Sequence, residues 1–300
     1  LTAPRSDAEI PAWLAELGLP GLVDIHTHFL PERVLDKVWA YFDQAGEHYG
    51  VEWPIHYRHS EQDRLRILRE LGVTTFAPLV YAHKPGMAEW LTDWAVDFGH
   101  RTPGAVPTAT IFPEPEVATY LAKALDAGAR CVKMHVQVGA FDPRDELLQP
   151  AWGLLAEAGI PVVVHCGHGP IRGAHTGLDV FEQVLRRHPA LVAVLAHAGM
   201  PDHDVALDLV GAYPGVHVDT TMVGVAFSEN FAALPADWSA RLADHADRVV
   251  LGTDYPNIPY PYAEQLAAIA GWAEADDRLG TKFLRAVLHD TPAKLLGGPS

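Results

Sequence analysis

Residues 21–30 read GLVDIHTHFL, and the polar members Asp24, His26 and His28 fall at alternate positions of an otherwise apolar run. Successive side chains of a strand point to opposite faces. The spacing therefore predicts one face carrying Asp24, His26 and His28 and the other carrying Val23, Ile25 and Thr27. An imidazole buried without a partner costs about 2–7 kcal/mol on transfer scales. Such a pair either bonds to backbone carbonyls or binds a metal. Further apolar runs end in side chains of the same kind: Lys133 and His135 in RCVKMHV, His165 in VVVHCGHG, His197 in VAVLAHAG and Asp254 in RVVLGTDYP.

The elements that must position these groups are legible as eight short apolar runs, at residues 21–28, 73–80, 105–112, 129–135, 160–165, 191–197, 216–220 and 248–254. Most are near-continuous, the pattern of strands buried on both faces of a parallel sheet. Helical patterns separate them, at 60–71, 87–100, 116–127, 146–158, 178–187, 202–212, 236–246 and 263–275. Several close on glycine, as in DAG at 126–128 and EAG at 157–159. Strand–helix alternation implies parallel pairing by right-handed crossovers, and the length suits a (β/α)8 TIM barrel. A doubly wound open sheet competes, but no glycine-rich nucleotide loop follows the first strand. The expectation is one domain over 1–300, with residues 1–20 as an N-terminal extension and 30–57 as an insertion holding a helix at 32–44.

The barrel assignment puts His26, His28, Lys133, His135, His165, His197 and Asp254 at the C-terminal ends of strands, where barrels of this class gather their catalytic groups. Neutral imidazoles and a carboxylate suit zinc, and manganese, iron, cobalt or nickel occupy similar sites. Three nitrogens and one oxygen with an open position make a catalytic rather than a closed structural site.

Composition narrows the partners. Lys and Arg number 22 against 38 Asp and Glu, a formal charge of -16, which argues against nucleic acid and anionic membranes. The two cysteines, Cys131 and Cys166, form no disulfide framework, so a cytoplasmic setting is the default expectation. No apolar stretch approaches the roughly 20 residues of a membrane helix, and the N-terminal stretch does not read as a signal peptide.

VDIHTHFLP at 23–31, VVVHCG at 162–167, LAHAG at 195–199 and LGTDYP at 251–256 together resemble the amidohydrolase superfamily, in particular its amidohydrolase-2 branch. That branch also holds metal-dependent decarboxylases similar to aminocarboxymuconate-semialdehyde decarboxylase. VLHDTPAKLLG at 287–297 is similar to the branch's C-terminal segment, with Asp-Thr where Asn-Ala is frequent. The resemblance implies a metal held by His26, His28, His165 and Asp254, with His197 contacting substrate or bound water as an acid–base or polarising group. Asp24 is expected to brace the strand or a ligand. In binuclear relatives a lysine at the end of the fourth strand carries a carbamate bridging two ions; Lys133 holds that position, its alternative being an ammonium paired with a barrel carboxylate or with substrate. Relatives often pair, so the resemblance also allows a homodimer.

Two reactions follow from this site. As a hydrolase of a small amide, lactone or ester, the enzyme would use metal-activated water, with Asp254 moving the proton and His197 stabilising oxygen charge. As a decarboxylase of a small aryl or dienyl carboxylic acid, His197 and Asp254 would manage protonation of carbon. That reading expects a cationic clamp, for which Arg33, Lys37, Arg58, Lys84 and Arg172 are the donors in rim segments. His168, His175 and Trp152 fall in or near those segments and read as local structure, whereas His48, His56, His59 and His83, in the long first excursion or the second loop, are candidates to line the mouth. Hydrolysis is the leading expectation and decarboxylation the alternative; a non-catalytic metal-binding barrel stands as the remote one.

Overall fold

The computed structural model describes residues 2–297. β1 (Leu22–Thr27) pairs in parallel with β2 (Val73–Pro78). β3 (Thr108–Thr110), β4 (Cys131–His135), β5 (Val162–His165), β6 (Ala193–Leu195), β7 (Val216–Asp219) and β8 (Val249–Val250) follow as a second parallel run in sequence order. Two seams join the runs. Phe76 bridges Ala105 at one. At the other, Ile25 N–H donates to the Leu251 carbonyl at 2.9 Å and Asp254 N–H to the His26 carbonyl at 2.8 Å. The eight strands thereby close into the (β/α)8 barrel that the apolar runs predict.

Apolar side chains on both strand faces explain the near-continuous runs. Val23, Ile25, Cys131, Val163, Val194 and Val250 fill the lumen. Leu22, Val132, Val164, Leu195 and Val218 point outward into the layer shared with the helices. Each such aliphatic side chain contributes about 1.5–3 kcal/mol when fully buried. Leu296 and the neighbouring Ala293 and Leu295, from the C-terminal segment, pack on the lumen cluster.

Helix boundaries follow local chemistry. Ser60 accepts from Asp63 N–H at 3.2 Å and opens the helix Glu61–Glu70. The helix expected from residue 146 begins at Gln149, because Glu146–Leu148 is a tighter 3-10 turn and Pro150 suits the first helical turn. The helix expected at 236–246 shortens to Trp238–Ala243. Within 30–57 the chain forms two helices, Glu32–Phe42 and Ala45–Tyr49. Asn257, just after β8, fastens this insertion: its side-chain oxygen accepts from Trp39 Nε1 at 2.9 Å and its carbonyl from Trp53 Nε1 at 2.7 Å. Among the described residues no helix is long and apolar enough to cross a membrane.

Candidate metal centre

β1 does not keep the simple alternation its sequence predicts. Val23 and Ile25 lie in the lumen, whereas Asp24 is turned away from it. Its Oδ2 accepts from the Thr253 hydroxyl at 2.6 Å and the Tyr262 hydroxyl at 2.9 Å, and its Oδ1 accepts from His26 N–H at 3.0 Å. The register with β2 is irregular between Asp24 and Thr27. Past that irregularity His26 enters the lumen together with Ile25, and the predicted common face of Asp24, His26 and His28 is corrected accordingly. Asp24 braces the strand, as expected. Gly252 makes the turn sterically feasible, since a Cβ there would stand 2.8 Å from His26 Cβ and 2.6 Å from Thr221 Oγ1.

His26, His28 and Asp254 converge, with their ligand-type atoms all within 4.8 Å of one another. Asp254 Oδ1 is 2.8 Å from His28 Nε2 and 3.4 Å from His26 Nε2. Asp254 reaches inward from a backbone at φ 67°, a left-handed conformation that aspartate tolerates better than most residues. Each histidine has its other nitrogen on an oxygen acceptor: His26 Nδ1 on Asp219 Oδ2 at 2.8 Å and His28 Nδ1 on the Leu79 carbonyl at 2.9 Å. Those bonds place the protons on Nδ1 and leave lone pairs on Nε2, the tautomer a metal-ligating histidine adopts. Burial, with Lys133 next, keeps the His26 imidazole neutral. Burial opposes the charge on Asp254, yet the adjacent His28 and His26 hold its carboxyl well below the usual carboxylate range. Two imidazole nitrogens and one carboxylate oxygen form a donor set that fits a divalent cation.

The other predicted site residues take different places. His165 lies outside that trio; its Nε2 is bonded to the Gly169 carbonyl at 2.9 Å, leaving Nδ1 as its free nitrogen. Its ring stacks on His135 at 4.0 Å and meets His197 edge-on at 4.7 Å. Burial, reinforced by His197 and Lys133, pushes its pKa down to about 3. His197 stands 5.5 Å from the His26 ring and lines the cavity. Burial lowers its pKa to about 4, so it too is neutral at pH 7. Lys133 Nζ contacts His26 Nε2 at 2.9 Å, and burial brings its pKa down to about 8. No carboxylate among the described residues salt-bridges Lys133 within 4.0 Å.

Asp219 is a site residue that strand-end reading missed. It ends β7, is 1% exposed, and accepts from His26 Nδ1, from His197 N–H at 2.7 Å and from Thr221 N–H at 3.1 Å. Its signal was the Asp closing VHVD, in the same place that His165 closes VVVH. His197 and Ala198 are consecutive left-handed residues, at φ 55° and 44°. Such conformations cost about 1–3 kcal/mol each and persist where the surroundings over-determine them; the Asp219 carboxylate is one such restraint. Tyr81 is a second addition, its ring edge-on to His28 at 5.3 Å.

His26, His28, Lys133, His165, His197 and Asp254 line a cavity of about 890 Å³, with Asp219 behind them and outside the lining. Its walls carry Arg33 and Lys37, one turn apart on the helix Glu32–Phe42, with Lys84 and Arg172 from the loops after β2 and β5. Asp254 is the sole carboxylate in the lining among the described residues. Arg58, also expected at the rim, is instead bonded to Asp43 at 2.9 Å. Tyr41, Trp53, Tyr81 and Trp90 supply aromatic wall.

A family model described as amidohydrolase matches residues 23–298. Solved structures share the fold. A TIM-barrel protein of Bordetella bronchiseptica aligns with a TM-score of 0.68 at 18% identity, over 92% of this chain and 98% of that one. An amidohydrolase of Burkholderia multivorans with bound zinc aligns at 0.63 and 19% identity, over 93% and 99%. The 5-carboxyvanillate decarboxylase of Novosphingobium aromaticivorans, complexed with manganese and 4-hydroxy-3-methoxy-5-nitrobenzoic acid, aligns at 0.62 and 15%, over 94% and 97%. No match is found among curated proteins.

Proposed function

The chain is an enzyme of the amidohydrolase family, and from that premise we propose that it is a metal-dependent hydrolase of a small acidic amide, lactone or ester. The observation that carries this reading is the pairing of an ionised Asp254, 2.8 Å from His28 Nε2, with a neutral His197 across the same cavity floor. Hydrolysis at neutral pH asks for a base and an uncharged hydrogen-bond donor in those states.

His26, His28 and Asp254 would hold the ion, zinc first among the candidates, with His165 Nδ1 available as a further nitrogen. A divalent cation supplies Lewis acidity, polarising a carbonyl and lowering the pKa of water toward 7. Asp254 takes the proton from the attacking water and passes it to the leaving group. His197 donates its N–H to the carbonyl oxygen as charge develops there. A tetrahedral centre forms when oxygen bonds to the carbonyl carbon, and it collapses when the carbon–heteroatom bond breaks to give the acid and the alcohol or amine.

The cationic wall favours an acidic substrate and supports a second reading. Arg33, Lys37, Lys84 and Arg172 converge on a cavity of a chain whose formal charge is -16. A decarboxylase would use such groups to hold an aryl or dienyl carboxylate, with the leaving CO2 replaced by a proton on carbon. One substrate panel separates the two. Metal-loaded protein is given acidic lactones, amides and esters alongside aromatic carboxylic acids, and carboxylic-acid release is scored against CO2 release. Acid release lost on chelation supports hydrolysis; CO2 as the metal-dependent product would overturn it in favour of decarboxylation.

A further inference from the structure

We infer that Asp219 is a positioning residue that governs two elements of the site at once: the tautomer of His26 and the stance of His197. The inference rests on the reading above that His26 holds the ion and His197 faces substrate. Asp219 Oδ2 lies 2.8 Å from His26 Nδ1, and Oδ1 accepts the His197 N–H at 2.7 Å and the Thr221 N–H at 3.1 Å. Oδ2 holds the proton of His26 on Nδ1, which leaves on Nε2 the lone pair that Lys133 Nζ contacts at 2.9 Å and that an ion would take in its place. Oδ1 grips the backbone amide of a left-handed residue, at φ 55°, whose imidazole enters the cavity. Neither oxygen is spare. Asp219 is 1% exposed, so both oxygens face protein groups rather than bulk solvent.

An asparagine at this position has the shape of aspartate but only one acceptor oxygen. With its amide nitrogen toward His26, the amide donates to Nδ1 and favours the tautomer with the proton on Nε2, which closes the coordinating lone pair, against the competing acceptor Thr221 Oγ1. With the amide turned over, two backbone N–H groups face a donor and His197 loses its restraint. Either way one of the two contacts fails. Alanine is the weaker test, because Thr221 Oγ1 at 3.1 Å can accept from His26 Nδ1 in place of the carboxylate.

The experiment compares Asp219→Asn with the wild-type chain by three readouts: equilibrium zinc affinity against a chelator of known strength, the visible spectrum of the cobalt(II)-loaded protein, and 15N spectra of the metal-free imidazoles. His26→Ala assigns the His26 resonances and serves as the control for the ligand reading. Zinc affinity in Asp219→Asn should fall about 10- to 100-fold, with the His26 proton moved from Nδ1 to Nε2 and an altered cobalt spectrum. If the amide sits the other way, affinity holds while the 15N resonances of the His197 imidazole move from their wild-type positions. Wild-type zinc affinity, cobalt spectrum and 15N spectra of both imidazoles together in Asp219→Asn would overturn the inference. Stoichiometric zinc in His26→Ala would overturn the ligand reading instead, so the two failures are distinguishable.

Discussion

Lys133 Nζ sits 2.9 Å from His26 Nε2, so a buried amine occupies the lone pair that a cation at this site needs. Ion and ammonium compete for one nitrogen. Lys133→Met should therefore bind a divalent metal at least as tightly as the wild type, with one ion per chain before and after the change. Metal analysis of protein purified without chelator checks both numbers. A fall from two ions to one would instead make Lys133 a carbamate bridge.

Removing a member of the convergent trio has a different signature. Asp254→Ala deletes the carboxylate oxygen that lies 2.8 Å from His28 Nε2, and His26→Ala deletes the nitrogen that faces it at 3.4 Å. Both variants should lose bound metal and turnover while keeping the far-ultraviolet dichroism of a folded barrel. Retained stoichiometric metal in either would remove that residue from the ligand set.

His197→Asn should separate chemistry from metal binding. The imidazole lies 5.5 Å, ring to ring, from His26 and is not among the three convergent groups. Metal content should stay at the wild-type value while kcat falls about 10²- to 10³-fold, the loss typical of one oxyanion donor. Unchanged turnover would leave His197 without a role in the reaction.

Gly252→Ala tests how tightly the turn in β1 is packed. The added methyl would meet Thr221 Oγ1 at 2.6 Å, His26 Cβ at 2.8 Å and Asp219 Cβ at 3.1 Å. Overpacking of this kind costs about 1–3 kcal/mol, and here it presses on His26 itself. Lower thermal stability together with weaker metal binding is expected. A stability loss with unchanged metal affinity would show that His26 does not depend on this space.

Much of the barrel was legible because strands buried on two faces leave near-continuous apolar runs, and a polar residue closing such a run stands out. His26, His28, His165, His197 and Asp254 were found in that way, and all lie at the floor of one cavity. Asp219 closes its run just as plainly, but a lone strand-end aspartate before Thr220 and Thr221 has no spacing partner and reads as a turn. Alternation misplaced Asp24 because the irregularity in β1 is set where β8 closes on β1, through contacts more than 200 residues apart in sequence. Which rim cations face inward was likewise beyond the sequence. Arg58 and Arg33 are equally basic, and only the fold pairs one with Asp43 and turns the other to the cavity.

The cationic wall supplies the last expectation. Arg33 and Lys37 share a helix face, Lys84 and Arg172 approach from two loops, and among the described residues no carboxylate salt-bridges any of the four within 4.0 Å. Arg172 contacts His168 Nε2 at 3.0 Å instead. Clefts lined by one sign of charge concentrate oppositely charged ligands and raise association rates by about 10- to 1,000-fold. For an acidic substrate, the double variant Arg33→Gln, Lys37→Gln should raise KM about tenfold and leave kcat nearly unchanged, since these side chains stand above the reacting groups rather than on them. Added salt should raise the wild-type KM and move the variant's much less, because exposed charges are screened over about 8–10 Å at moderate ionic strength. Steady-state kinetics at low and high salt, with an acidic substrate and its neutral ester or amide, check this directly. Equal losses for the charged and the neutral compound would show that the wall shapes the cavity without reading charge.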